Sequence, residues 1–191
     1  MSQRWAIWLT VEGDLRFCSH RDMMRALERA ALRAKLPLRY TQGFNPHPLH
    51  SLALPRAVGV TSRDDLWVLT LDEDRSPDSI CAALASAELP VGLTIIGAQE
   101  IPAKATPQPI VSQYELTVAP EWASDLAPRV AELQSQDAWC VERKKKSKGR
   151  RQAPQFMTVD LKASVPYLAF EGDTVHLTIR STIIPSARPN E

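Results

Sequence analysis

Cationic side chains recur along one segment with a spacing suited to binding a polyanion. On a helix, each step of four residues turns the chain by about 400°, so such side chains drift by only about 40° per step and rise by about 6 Å. That rise is similar to the spacing of successive phosphates along a nucleic-acid strand. Glu28 is placed to offset part of the charge by pairing with Arg25. We call this set the arginine row: Arg21, Arg25, Arg29 and Arg33. It predicts phosphate binding, although a solvated helix face would carry the same pattern.

A second cationic segment spans residues 143–151 and has no acidic residue. Removing its seven positive charges from the net charge of +1 leaves −6 for the rest of the chain. We expect a hairpin tip that binds phosphates and, with the arginine row, grips one polyanion without reading base identity. A solubilising loop and a membrane-surface patch are the alternatives, the latter lacking an adjoining amphipathic helix. The cations of this basic segment are Arg143, Lys144, Lys145, Lys146, Lys148, Arg150 and Arg151.

The segment Gln42–His50, QGFNPHPLH, combines a stiff backbone with an aromatic ring, an amide and an imidazole. Prolines restrict its path, while glycine and asparagine permit unusual backbone angles. Phe44 and Asn45 are predicted to contact an unpaired nucleotide, with His47 beside a phosphate. The alternative is a packed connection in which Phe44 fills the core.

Catalytic and metal-binding patterns are weak. His20 and His47 are candidates for an acid–base pair in RNA cleavage, but we expect no catalytic residue. Cys18, His20, His47 and His50 have spacings that could suit zinc only if they converged, so no metal is expected. Phosphate-loop, dinucleotide-binding and serine-hydrolase motifs do not occur. We interpret Asp64–Asp65 as an acidic turn.

The composition is that of an ordinary globular protein, with 191 residues, 44% hydrophobic and 24% charged. No apolar run approaches the roughly 18 residues of a membrane-spanning helix, and the first residues do not form a signal peptide. The three cysteines are far apart in sequence, which excludes a disulfide framework and a cluster motif for iron–sulfur binding. Cys81 and Cys140 are expected to face a core. A cytoplasmic protein without a cofactor of its own is the prediction.

Hydrophobic patterning predicts an α+β fold of two ferredoxin-like βαββαβ halves, with antiparallel sheets and helices on one face. The first half covers residues 1–102, with a helix from the Ser19 N-cap to about Leu36 and a strand over residues 36–42. Residues 103–111 are rich in proline and predict a linker. The second half, 112–191, has no clear second helix and is therefore an incomplete copy.

The stretch FCSHRDMMRALERAALRAKLPLRYTQGFNPHPLHSLALPRAVGV resembles the N-terminal signature of the radical SAM-linked protein family, DUF2344. The matching parts are Ser19–His20, the helix Asp22–Leu36, the loop Tyr40–Pro48 and the segment Ala53–Val60. Leu49–His50 departs from the family pattern, in which a basic residue is usual before the serine. The resemblance implies an accessory protein that works beside a radical SAM enzyme, and RNA is one candidate substrate.

These observations lead to a non-catalytic, RNA- or tRNA-binding accessory module as the main hypothesis. The resemblance implies that its partner carries the iron–sulfur cluster, S-adenosylmethionine and cobalamin. One alternative is a protein–protein adaptor that docks on the radical SAM enzyme without nucleic acid. The other is a metal-independent RNA-processing enzyme that uses His20 and His47. The sequence does not determine the oligomeric state.

Overall fold

The computed structural model describes residues 2–144 and 155–182. Two compact units divide the chain, Met1–Gln108 and Pro109–Glu191. The division lies within residues 103–111, the segment whose proline content predicts a linker.

The first unit is a four-stranded sheet with two α-helices. Its sheet has the order β2-β3-β1-β4, and every neighbouring pair is antiparallel. The predicted α+β class with antiparallel sheets is therefore confirmed. In chain order the elements are β1 (Gln3–Val11), α1 (His20–Arg33), β2 (His50–Leu52), β3 (Ser62–Leu71), α2 (Pro77–Ser86) and β4 (Leu93–Ile101), with a 3-10 turn at Gly13–Phe17 after β1.

The core of the first unit lies on one face of its sheet. Alternate residues of β1 point to that face, because successive side chains of a strand project to opposite sides. Trp5 of β1 and Trp67 of β3 are fully buried there. Leu27 of α1 and Leu84 of α2 belong to the same cluster, so both helices cover this face. Burial of each large apolar side chain contributes about 1.5–3 kcal/mol, which fixes the helices against the sheet.

Helix α1 begins where the capping pattern predicts. The Ser19 hydroxyl accepts a bond from the Asp22 N–H (3.2 Å) and donates to the Asp22 carboxylate (2.7 Å). The helix ends at Arg33, three residues before the predicted end. Lys35 adopts a left-handed backbone conformation (φ 53°), and the Leu36 N–H then bonds back to the Ala31 carbonyl (3.0 Å). Such a reversal satisfies carbonyls of the last turn and buries Leu36.

The strand predicted over residues 36–42 is wrong. Leu38 and Tyr40 form only isolated bridges, to Leu71 and Pro48 respectively. The second strand of the sheet is instead the short β2, which pairs with β3 so that Leu52 lies opposite Trp67. Pro48 and Pro37 lack the N–H that a continuous ladder requires, which limits pairing in this segment.

The second unit contains two small antiparallel sheets and one α-helix. Strands β5, β9 and β8 form one sheet, and β6 and β7 form a two-stranded ribbon. A 3-10 turn at Lys162–Ser164 separates β7 from β8. The elements are β5 (Val111–Thr117), α3 (Pro120–Ser135), β6 (Cys140–Lys144), β7 (Phe156–Asp160), β8 (Tyr167–Glu171) and β9 (Thr174–Arg180).

The second unit has a smaller core than the first. Val159 and Ile179 are buried in it, with Trp139 and Leu177 packed at its margin. Helix α3 has no buried residue and contains Pro128 in its interior. Within the described residues, no helix of the chain has the length and apolar character needed to cross a membrane.

Candidate functional site

Helix α1 presents the arginine row on its exposed side. Arg25 pairs with Asp22 (3.6 Å), and Arg33 donates to the backbone carbonyl of Glu88. Arg21 and Arg29 make no hydrogen bond or ion pair with any residue in 2–144 or 155–182. The 40° drift per step turns Arg33 about 120° away from Arg21, to the flank of the helix, where it meets the Glu88 carbonyl, whereas Arg25 finds its partner on α1 itself. Two guanidinium groups of the row are thus available to a ligand.

The partner predicted for Arg25 was Glu28, and this is wrong. Arg25 pairs one turn in the other direction, with Asp22. Glu28 is half-buried and acts electrostatically on His50 instead. Glu28 forms no ion pair with the arginine row within residues 2–144 and 155–182.

The loop after α1 stands on a short stem closed by hydrogen bonds. The Thr41 N–H donates to the His47 carbonyl (2.8 Å), and the His47 N–H donates to the Thr41 hydroxyl (3.0 Å). One step lower, the Leu49 N–H donates to the Arg39 carbonyl (2.7 Å). The backbone of Thr70 in β3 then bonds to both Arg39 and Leu49, which attaches the stem to the sheet. We call residues 42–46 the exposed loop.

Phe44 projects from the exposed loop with its whole side chain accessible, 106% of the reference value. Asn45 and His47 are exposed beside it. Gly43 has a φ of +149°, a conformation that side-chain-bearing residues seldom adopt, and it allows the loop to turn outward. The alternative in which Phe44 fills the core is contradicted. A fully exposed phenylalanine on a hydrogen-bonded stem is a surface feature suited to contact with another molecule.

His50, at the start of β2, has a structural contact that the sequence analysis did not predict. The buried Trp67 indole N–H donates to its Nδ1 (3.2 Å), and the two rings meet edge to face with centroids 6.2 Å apart. Burial lowers the pKa of His50 below its usual 6.5, and the charge of Glu28 opposes that shift. An accepting Nδ1 requires the neutral imidazole. Alternation with Leu52 was the sequence signal that could have placed His50 on the core face.

A buried ion pair holds the segment between β2 and β3. The Arg56 and Asp65 side chains are only 9% and 12% exposed, and Nε lies 3.4 Å from Oδ2. Arg56 also donates to the backbone carbonyls of Arg16 (3.2 Å) and Val60. Burial raises the pKa of Asp65, against hydrogen bonds from Ser62 and Arg56. The predicted acidic turn at Asp64–Asp65 is wrong, because both residues belong to β3 and alternation turns Asp65 inward.

Only the first two cations of the basic segment fall within the described residues. Arg143 lies opposite Met157 and Lys144 lies opposite Phe156 at the end of the β6–β7 ribbon. The remaining predicted phosphate-binding residues lie outside the described part of the chain: Lys145, Lys146, Lys148, Arg150 and Arg151.

Neither the acid–base pair nor a metal site is assembled in the described part of the chain. His20 is the exposed first residue of α1, and no hydrogen bond joins it to His47. No group of three or more His, Cys, Asp or Glu side chains there has the geometry to hold a metal ion. Cys18, Cys81 and Cys140 are free thiols. Cys140 is exposed, so the prediction that it faces a core is wrong.

Comparison with protein families shows that nearly the whole sequence matches a single family model. The model of a family described as uncharacterized proteins conserved in bacteria, DUF2344, matches residues 4–189. The chain belongs to the DUF2344 family. The match spans both units of this DUF2344 protein and confirms the resemblance drawn from the Ser19–His20 and GFNPHP motifs. A search of curated proteins found no match.

Proposed function

We propose that this DUF2344 protein is a non-catalytic accessory module of a radical SAM system that binds RNA or tRNA through the phosphate backbone. The observation that carries the proposal is the pair of exposed guanidinium groups, Arg21 and Arg29, which lack partners among the described residues. Unneutralised cations at helical spacing attract phosphates and release counterions when they bind them. The Arg25 charge is partly offset by Asp22. Arg33 donates one N–H to the Glu88 carbonyl, and its other N–H groups can still donate to a phosphate.

We infer in addition that the first unit is ferredoxin-like and that the second is an incomplete copy. The element order βαββαβ and the sheet order β2-β3-β1-β4 support the first inference. The βαββ order from β5 to β7, followed by a 3-10 turn where the first unit has α2, supports the second. Ferredoxin-like units host many unrelated functions, so this inference does not by itself assign one.

The exposed loop supplies the second part of the proposed interface. The Phe44 ring has both faces free for stacking on an unpaired base, and its stem removes much of the ordering cost of binding. Asn45 and His47 add hydrogen-bonding groups beside the ring. The exposed loop lies between α1 and β2, so the arginine row and Phe44 belong to the same unit.

Catalysis by His20 and His47 finds no support in the first unit. A catalytic imidazole is commonly oriented by a hydrogen bond to its second ring nitrogen, and neither His20 nor His47 has such a partner among the described residues. We therefore assign His47 to binding. An unchanged RNA after long incubation with the protein agrees with this assignment, and cleavage lost in His47→Ala contradicts it.

The test is the affinity for fluorescently labelled bulk tRNA, measured by anisotropy at low and moderate salt. We expect Arg21→Gln/Arg29→Gln to weaken binding. The logarithm of the association constant should also fall less steeply with the logarithm of salt concentration; we call the magnitude of this gradient the salt slope. It should decrease by about 1.4, because each phosphate contact contributes about 0.7 on single strands. Arg75→Gln/Lys104→Gln removes the same charge from other exposed positions of the first unit and is the control, although Arg75, unlike Arg21 and Arg29, is paired with Glu73 (3.4 Å). Equal effects of the two double variants would exclude the arginine row as the binding site.

A second comparison separates RNA binding from adaptor function. Phe44→Leu is expected to weaken tRNA binding, whereas Phe17→Leu is not, because the Arg16 guanidinium covers one face of the Phe17 ring at 4.7 Å. Co-purification with the radical SAM enzyme from nuclease-treated lysate, together with no tRNA binding, would replace the proposal by the adaptor alternative.

A further inference from the structure

An exposed phenylalanine lies beside a lysine at the root of the basic segment, in the second unit. Phe156 is the first residue of β7, and its side chain is 56% exposed. The ribbon register places it directly opposite Lys144, the last residue of β6. Directly opposed residues of an antiparallel pair have Cβ atoms about 5 Å apart, so ring and ammonium group share one small area of surface.

The two faces of the ribbon show that Phe156 is not a core residue. Val141 and Val159 form the pair that faces the hydrophobic cluster of the second unit. Alternation places Arg143 and Met157 on that same face and sends the remaining three pairs to the opposite face, where every residue is exposed. That outer face consists of Cys140, Glu142, Lys144, Phe156, Thr158 and Asp160.

Charge is distributed unevenly along this outer face. Asp160 lies at the far end, where its carboxylate accepts the Trp139 and Lys162 N–H groups (2.8 and 3.0 Å). Glu142 lies in the middle, opposite Thr158. The end at Phe156 carries Lys144 and leads into the basic segment, so an anion is attracted to the end that bears the aromatic ring.

We propose that Phe156 and Lys144 form a second nucleotide-binding point, which stacks one unpaired base and holds the adjoining phosphate. This inference rests on the proposed RNA binding and narrows the ligand to a single strand, because bases inside a duplex do not offer a free face. An exposed aromatic ring beside a cationic side chain is an arrangement by which proteins bind single strands without reading sequence. Phe156 carries the stacking, and Lys144 contributes one charge-dependent contact.

The experiment uses the full-length protein with a labelled oligouridylate and an RNA duplex of equal length. Phe156→Leu should weaken oligouridylate binding at least about fivefold, with the salt slope and duplex binding unchanged, and Phe156→Trp should restore affinity. Lys144→Gln should lower the salt slope by about 0.7. Tyr167→Leu, which changes another exposed aromatic residue of the second unit, should have no effect.

The outcomes distinguish this inference from the proposed function. If the wild-type protein binds neither RNA, the proposed function fails. A second case is that the wild-type protein binds RNA with a steep salt slope. If Phe156→Leu then leaves oligouridylate affinity unchanged, or weakens duplex binding equally, only the second nucleotide-binding point is excluded. Loss of association with a radical SAM enzyme in Phe156→Leu, with RNA affinity intact, would assign the ring to a protein interface and overturn the inference.

Discussion

Single residues show where burial changes the chemistry that residue type suggests. His50 belongs to a histidine-rich segment that could be taken for a ligand set, yet its Nδ1 accepts a hydrogen bond from Trp67. Its half-buried position and neutral form make it a structural residue of β2. Phe44 shows the reverse, because a large apolar residue that usually fills a core is fully exposed.

Acidification is expected to destabilise the protein through His50. Burial lowers the pKa of His50 below 6.5, so the unfolded chain binds more protons as the pH falls below that value, and the free energy of unfolding decreases. Urea titrations at about pH 7.5 and about pH 5 measure the difference. His50→Gln keeps an acceptor for Trp67 but does not titrate, so its loss on acidification should be smaller. Burial also shifts the pKa of Asp65, but this carboxylate is present in both proteins, so its effect on stability cancels in the comparison. Equal losses would contradict the account.

Replacement of Lys35 by glycine is expected to stabilise the first unit. Lys35 ends α1 with a positive φ of 53°, a conformation that costs a residue with a Cβ about 1 kcal/mol. Lys35→Gly removes that cost. Glycine also raises the chain entropy of the unfolded state, which offsets part of the gain, so the free energy of unfolding should rise by about 0.5 kcal/mol. Chemical denaturation compares it with Lys35→Ala, which keeps the strain. Lower stability of the glycine variant than of the alanine variant would contradict this interpretation of the helix end.

At the scale of elements, patterning predicts strands and helices where one face is apolar. Alternation over residues 4–10 and the apolar run over residues 65–72 predict strands that overlap β1 and β3, and Ser19 and Ser76 cap the two helices of the first unit. The errors occur where tertiary contacts decide. The segment 36–42 has strand-like composition, yet the stem of the exposed loop takes up its hydrogen bonds. The exposure of Phe44 agrees with the predicted binding loop, whereas the alternative in which Phe44 fills the core is excluded by the stem, which the sequence pattern does not show.

The link between β2 and β3 depends on the buried pair of Arg56 and Asp65. Arg56→Ala leaves a carboxylate buried without its partner and should lower the free energy of unfolding by about 3 kcal/mol or more. Arg39→Ala is the matched control, because Arg39 and Asp72 are 45% and 57% exposed and such pairs contribute under about 1 kcal/mol. Urea denaturation measures both variants. Similar losses in the two would show that burial does not strengthen the Arg56 contact.

At the scale of the whole molecule, positive charge is concentrated in the basic segment, and the rest of the chain is mildly acidic. The net charge of +1 conceals this, because 23 basic and 22 acidic residues nearly cancel. The family match over residues 4–189 joins both units in one conserved architecture. Under the proposed RNA binding, the cationic helix α1 in the first unit and Lys144 at the end of the β6–β7 ribbon in the second unit would supply two separate contacts with the ligand.

The salt dependence of tRNA affinity for the full-length protein tests the central claim most directly. Phosphate binding by several cations predicts that the logarithm of the association constant falls linearly with the logarithm of salt concentration, with a slope of about −3 or steeper for four or more contacts. Anisotropy titrations between about 50 and 200 mM salt measure it. No binding at the lowest salt concentration, or an affinity that does not change with salt, would contradict the account.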